Sequence, residues 1–237
     1  MLFFYIRHGD PIYHPDMLTP LGNEQARALA KRLSLFGIDK IFASTSTRAR
    51  QTAEPTCMLL KKEMTVCDWA NEALAWQQFT VPKADGSRTW AFHDSETVKL
   101  FNSKQMRELG DAWFTHPELK SDFSKGVARV NHEVDNFFLS LGYRHDRENG
   151  RFEALSPSNE RIALFAHQGF GMAFFSSLLD VPYPFFCTHF DMGHTGMSVI
   201  DFTENDGFVY PRVLQLSNDS HLYREGILTG YQNQLRF

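Results

Sequence analysis

The sequence predicts an α/β fold in three layers, with helices on both faces of a mainly parallel sheet and a partly helical cap inserted over residues 75–120. Three observations predict it. Apolar runs of strand length stand at residues 2–6 and 162–166, and 40–43 reads as another short strand. Segments with helical spacing of apolar residues alternate with them, as in βαβ proteins. Between 75 and 120 that alternation stops, and Trp76, Trp90 and Trp113 stand among residues of mixed polarity.

The first run, 2–6, is apolar throughout, as a strand buried on both faces would be. Residues 9–16 are turn-prone. Thr19-Pro20 reads as an N-cap followed by proline at the first helical position. Leu21, Ala28, Leu29, Leu33 and Phe36 then share one helical face, and Gly37 can close the helix. Residues 40–43 give a second strand, 47–62 a helix kinked at Pro55, and 64–67 a third strand. After the insertion, Val127, Val130, Val134, Phe137, Phe138 and Leu141 mark a helix over 123–141, followed by Gly142. Residues 143–160 read as a hairpin or loop, 162–166 as a strand, and 170–179 as a short apolar helix. Residues 196–202 and 208–216 read as late strands joined by a turn at 204–207. The whole, 1–237, reads as one domain carrying the inserted cap.

Composition narrows the function classes. The 237 residues are 43% hydrophobic and 22% charged, and 22 of them are Phe, which supplies ample material for a core. The net charge of −4 gives no overall attraction to nucleic acid or anionic membrane, so neither is expected as a partner and any anion site must be local. Cys57, Cys67 and Cys187 are few, odd in number and without motif spacing, which fits reduced thiols. No apolar stretch approaches membrane-spanning length, and the first apolar run is too short for a signal peptide. A cytoplasmic location is expected.

The chemistry lies where strands end. Arg7-His8-Gly9 follows one apolar strand and His167-Gln168-Gly169 follows another. Ligands of open α/β sheets sit outside the carboxyl ends of strands, so two imidazoles can meet there. Gly9 and Gly169 would let backbone approach a ligand closely, and the helix beginning near Phe170 can aim N–H groups at an anion. Arg7 and Arg48 supply guanidinium forks that match phosphate oxygens. A neutral imidazole among them can attack phosphorus in line while the cations stabilise the equatorial oxygens. Taken singly, a strand-end histidine is more often a hydrogen-bonded structural residue. The constellation is what points to chemistry.

The set Arg7-His8-Gly9, Leu18-Thr19-Pro20-Leu21-Gly22, Ser44 to Ala53 with Arg48-Ala49-Arg50-Gln51-Thr52-Ala53, Ala166-His167-Gln168-Gly169 and Asn218-Asp219-Ser220-His221-Leu222, in this order, resembles the histidine phosphatase (phosphoglycerate-mutase-like) superfamily, in its phosphatase branch. The resemblance implies that His8 is the phosphorylated nucleophile, and that Arg7, Arg48 and His167 bind the phosphate, with Gly9 and Gln168 beside them. It also implies that a Glu after the third strand is the general acid, which here is Glu72 in Asp68-Trp69-Ala70-Asn71-Glu72. Gly86 and Trp90 match the spacing that follows that Glu in one branch. Asp68 and Asp10 compete for the acid's role. No metal or organic cofactor is implied, and the expected partner is a phosphorylated small molecule.

Departures from the pattern are Gln168, Asp10-Pro11, and the surroundings of Glu72, which bear more on mutase than on phosphatase chemistry. A phosphoglycerate-type mutase and an inactive module that binds phosphorylated ligands are the alternatives. His189 and His194 have metal-compatible chemistry but no accompanying carboxylate or Cys pattern. Arg50 reads as a surface or structural ion-pair residue, Arg48 can alternatively pair with Glu54 on the helix surface, and Asn218 and His221 read as supports of the site.

Overall fold

The computed structural model describes residues 1–229. Strand β1, Leu2–Arg7, leads through the short strands β2, Pro11–Ile12, and β3, Met17–Leu18, into helix α1, Pro20–Phe36. Thr19 caps α1 by accepting the Gly22 N–H, and Gly37, at φ 70°, closes it. Strand β4, Lys40–Ser44, helix α2, Thr47–Leu60, and strand β5, Met64–Cys67, follow. Helix α2 runs through Pro55 as one element, forgoing the bond a non-proline residue would make there. Next come α3, Glu72–Phe79, β6, Thr80–Pro82, β7, Arg88–Trp90, α4, Ser95–Phe101, and α5, Lys104–Leu109. The remaining elements are α6, Ser124–Ser140, β8, Tyr143–Asp146, β9, Arg151–Ala154, β10, Arg161–Ala166, α7, Gln168–Leu178, α8, Tyr183–His189, β11, Met197–Asp201, β12, Phe208–Val209, β13, Arg212–Asn218, and α9, Ser220–Arg224.

The central sheet has the order β13-β11-β1-β10-β4-β5. Its four strands from β1 to β5 are parallel, and β11 and β13 add an antiparallel edge. Alternation along the strands builds the layers. Phe3 and Tyr5 point into a core shared with α3, α6, α7 and α8, while Phe4 and Ile6 point into a second core with α1 and α2. The mainly parallel α/β architecture expected from the sequence is what forms. The first core is aromatic: Phe3 packs on Phe137, Phe138 and Phe174 within 5.9 Å between ring centroids.

Two boundaries differ from expectation. Residues 208–216 are not one strand. β12 pairs with β9 in a small sheet and β13 with β11 in the central one. Pro211, without an N–H, separates them. Helix α7 begins at Gln168 rather than Phe170, with His167 extended as its N-cap residue. The segment 75–120 packs on α7 and α8, through Trp90 on Gly169 and through Phe101 and Trp113 on Tyr183. The three cysteines are free, and among the described residues no helix is long and apolar enough to cross a membrane.

Candidate active site

The sheet itself brings the two strand-end histidines together. β1 and β10 are parallel neighbours in a register that pairs Arg7 with Ala166, so the next residues, His8 and His167, leave the sheet side by side. The His8 N–H still donates to the Ala166 carbonyl at 2.9 Å, and the two rings lie 5.2 Å apart, edge to face. Tyr5 fixes the second histidine by donating its hydroxyl to the His167 carbonyl at 2.7 Å.

His8 is buried, and its Nδ1 lies 2.7 Å from the Gly9 carbonyl. A carbonyl only accepts, so Nδ1 carries the hydrogen and, in the neutral ring, Nε2 carries the lone pair. Burial, then the neighbouring His167 and Arg7, push the His8 pKa well below its ordinary value, so the ring is neutral.

His167 has the opposite tautomer. Arg48 Nη2 donates to its Nδ1 at 3.2 Å, and its Nε2–H faces the hydroxyl oxygens of Ser44, at 2.8 Å, and Ser46, at 3.2 Å. Burial, then Arg48 and Arg7, hold its pKa well below the ordinary histidine value. Its single N–H is therefore directed at the end of β4 and the start of α2. Donation to a ligand requires a proton on Nδ1 and release of Arg48.

Both arginines are buried and held by neighbours far off in sequence. Arg48 Nη1 pairs with Asp16 at 2.7 Å, while Asp16 also accepts the Thr47 N–H at the start of α2. The partner is thus Asp16, not Glu54. Arg7 donates from Nη1 to the Met192 carbonyl and from Nη2 to His194 Nε2 at 3.0 Å. The Nε donors of Arg7 and Arg48 are both buried and have no acceptor among the described residues. Each guanidinium keeps a donor that an oxyanion could take.

Glu72 is the first residue of α3 and half-buried. Its Oε1 accepts the Gly169 N–H at 3.0 Å and its Oε2 the Phe170 N–H at 2.9 Å. The carboxylate thus sits on the N-terminal turn of α7, directly after His167. Asn71 sets this position. Its Oδ1 caps α3 through the Ala73 N–H, and its Nδ2 donates to Thr45 Oγ1 at the end of β4. Burial raises the Glu72 pKa although the two N–H bonds and the arginines act the other way. Asp68 is exposed and accepts the following N–H, that of Trp69. Asp10 lies on the other side, with Oδ2 on the Thr19 hydroxyl and Oδ1 3.4 Å from His194 Nδ1.

The glycines are also required by packing. A Cβ on Gly9 would stand 2.7 Å from the Gly22 carbonyl oxygen of α1, and one on Gly169 would run into the Trp90 ring. Gln168 turns its amide N–H to Asp191. Arg50 is exposed, as expected. Asn218 accepts from Arg32, and His221 lies beneath the site loop with Nε2 3.0 Å from Thr195 Oγ1. Among the described residues no group of three or more His, Cys, Asp or Glu side chains is placed to hold one metal ion.

Sequence reasoning missed Tyr5, Asp16, Ser44 and the place of His194. The His194 ring stands 5.7 Å from that of His8. It gets there because β11 runs antiparallel beside β1, which lays the loop before Met197 against the end of β1. Burial and the adjacent Arg7 lower its pKa to about 4.

Two neutral imidazoles thus lie between two buried guanidiniums at the carboxyl ends of parallel strands, an arrangement whose chemistry suits an anion. Residues 4–112 match the model of the histidine phosphatase superfamily, branch 1, in agreement with the resemblance carried by the motifs. Among solved structures, a mutant phosphoserine phosphatase from Entamoeba histolytica in complex with phosphoserine is similar, with a TM-score of 0.59 at 18% identity over 93% of this chain and 98% of its own. A mycobacterial glucosyl-3-phosphoglycerate phosphatase in complex with inorganic phosphate gives a TM-score of 0.59 at 17% identity, again over 93% of this chain and 98% of its own. At such identities the likeness establishes the fold. None of the curated proteins compared with the chain matches it.

Proposed function

We propose that this protein is a phosphatase that hydrolyses a phosphomonoester through a phosphohistidine on His8, without a metal. One observation carries the proposal. The His8 ring is held neutral, with Nδ1–H on the Gly9 carbonyl and the lone pair on Nε2, between Arg7, Arg48 and His167. The solved structures of like fold with phosphoserine and with inorganic phosphate support a phosphorylated small molecule as substrate.

In the first step Nε2 of His8 forms a bond to phosphorus as the bond to the leaving oxygen breaks, and Glu72 gives that oxygen a proton. Arg7 and Arg48 stabilise the charge on the transferring group. A bound dianion would draw Arg48 from His167 Nδ1 and favour protonation of that nitrogen, giving His167 an N–H for the oxyanion. In the second step water attacks phosphorus, Glu72 takes its proton, and the N–P bond breaks.

The test is release of phosphate from p-nitrophenyl phosphate, with and without EDTA, beside the His8→Ala variant. The native protein should turn over in EDTA and, on rapid quench, carry an acid-labile, base-stable phosphoryl group. Undiminished turnover by His8→Ala would exclude the mechanism.

A further inference from the structure

Two cavities flank the site beyond the phosphate-binding groups. One, of about 670 Å3, is lined by Arg7, Asp10, Asp191 and His194, with Leu21 and Leu216 among its apolar residues. The other, of about 230 Å3, lies on the side of the 75–120 segment and is lined by Phe92, His93 and Phe190 together with Asp191. Asp191 belongs to both walls.

The charges on these walls are one-sided. Among the described residues lining the two cavities, Arg7 is the one arginine or lysine, and its Nη groups are held by the Met192 carbonyl and His194. Its charge serves the phosphoryl group. Burial holds His194 neutral, with a pKa of about 4, and burial likewise lowers that of His93. What faces the leaving group is two carboxylates, that of Asp191 and that of Asp10, which also meets Thr19 and His194, together with the rings of Phe92 and Phe190 and the exposed imidazole of His189. Asp191 is exposed at the mouth, and its Oδ1 is fixed by the Gln168 amide and the Met192 N–H. Such a wall repels a second anion. Carboxylates beside aromatic faces are the chemistry that holds an ammonium group.

We infer that the alcohol released by this site carries a cationic amine, so that the substrate is the phosphomonoester of an amino alcohol rather than of a hydroxy acid. This rests on the phosphatase function proposed above. A phosphorylated hydroxy acid would bring its carboxylate against Asp10 and Asp191 with no further lysine or arginine among the described residues of these walls to receive it.

The experiment compares kcat/KM for phosphocholine and phosphoethanolamine with that for 3-phosphoglycerate, using p-nitrophenyl phosphate as a neutral reference, in the native protein and in Asp191→Asn. The amine esters should exceed 3-phosphoglycerate by at least about tenfold, the step that 1.4 kcal/mol of differential binding produces. The Asp191→Asn variant should narrow that ratio several-fold while retaining the acceptor for Gln168. Equal or better turnover of 3-phosphoglycerate, or a ratio unmoved in Asp191→Asn, would overturn the inference and leave the phosphatase function standing, provided that p-nitrophenyl phosphate is still cleaved in a His8-dependent way. Absence of turnover on every ester, p-nitrophenyl phosphate included, would overturn both.

Discussion

Replacing Glu72 by Gln separates proton donation from structure. The wild-type carboxylate accepts two N–H groups, from Gly169 and Phe170, at 3.0 and 2.9 Å. Gln has nearly the same shape but a single acceptor oxygen, so one of the two N–H groups would face an amide N–H2. Whatever damage follows at the start of α7 falls on every substrate alike. Proton donation does not. A general acid contributes about 10²–10⁴-fold where the leaving oxygen is basic, or roughly 3–5 kcal/mol of barrier. A p-nitrophenolate leaving group needs no proton. Hence kcat/KM for an alkyl phosphate such as glycerol 2-phosphate should fall by about 10²-fold or more in Glu72→Gln. For p-nitrophenyl phosphate the fall should be only about tenfold or less. The ratio of the two falls isolates the acid. Under the proposed mechanism kcat/KM is the right parameter, because it ends at the first irreversible step, phosphorylation of His8, and excludes the later hydrolysis in which Glu72 would be the base. Burial raises the Glu72 pKa above its ordinary 4.5, which extends the protonated form upward in pH. Wild-type kcat/KM for the alkyl ester should therefore decline as pH rises through that raised value, a limb the variant lacks. Equal falls on the two esters would refute Glu72 as the acid.

Three further outcomes follow from the geometry. Arg48→Lys replaces a fork that reaches Asp16 and His167 together with a single ammonium, and should cost about 10²–10³-fold in kcat/KM; a fall below tenfold would remove Arg48 from the phosphate site. His145, stacked on Phe152, lies between Asp135 and Asp180, each 2.9 Å away and both also held by Arg147; burial lowers its pKa, but the two carboxylates together outweigh that and raise it. Its imidazolium therefore stabilises the fold most below about pH 6.5, by roughly 1 kcal/mol or less with partly exposed partners, and this is lost as pH rises through the raised value. Urea unfolding of the wild type and His145→Gln should show the gap closing toward alkaline pH, and a gap constant with pH would contradict it. Gly169→Ala drives a methyl group into the Trp90 ring and should cost about 1–3 kcal/mol, a lowering of Tm by roughly 2–4 °C per kcal/mol; an unchanged Tm would show that Trp90 moves freely.

Much of this protein is written in local pattern. The apolar runs at 2–6 and 162–166 are strands buried on both faces, and such strands stand in parallel sheets with helices above and below. His8 and His167 follow those strands directly, so their meeting needs only that the strands be neighbours, and β1 and β10 are. Thr19 and Gly37 mark the ends of α1 because caps are short-range chemistry.

Tertiary structure alone decided the rest. Glu72 reaches Gly169 and Phe170 across nearly a hundred residues, because α3 packs on α7. His194 reaches Arg7 because β11 lies antiparallel beside β1, and Asp16 reaches Arg48 because the loop after β1 folds over the start of α2. Gly9 and Gly169, which local reasoning sets beside a ligand, also pack against Gly22 and Trp90, and only the packed layers show it. A hydrogen-bond partner or a burial-shifted pKa depends on which surfaces the packed layers bring within about 3 Å, and residue order does not record that distance.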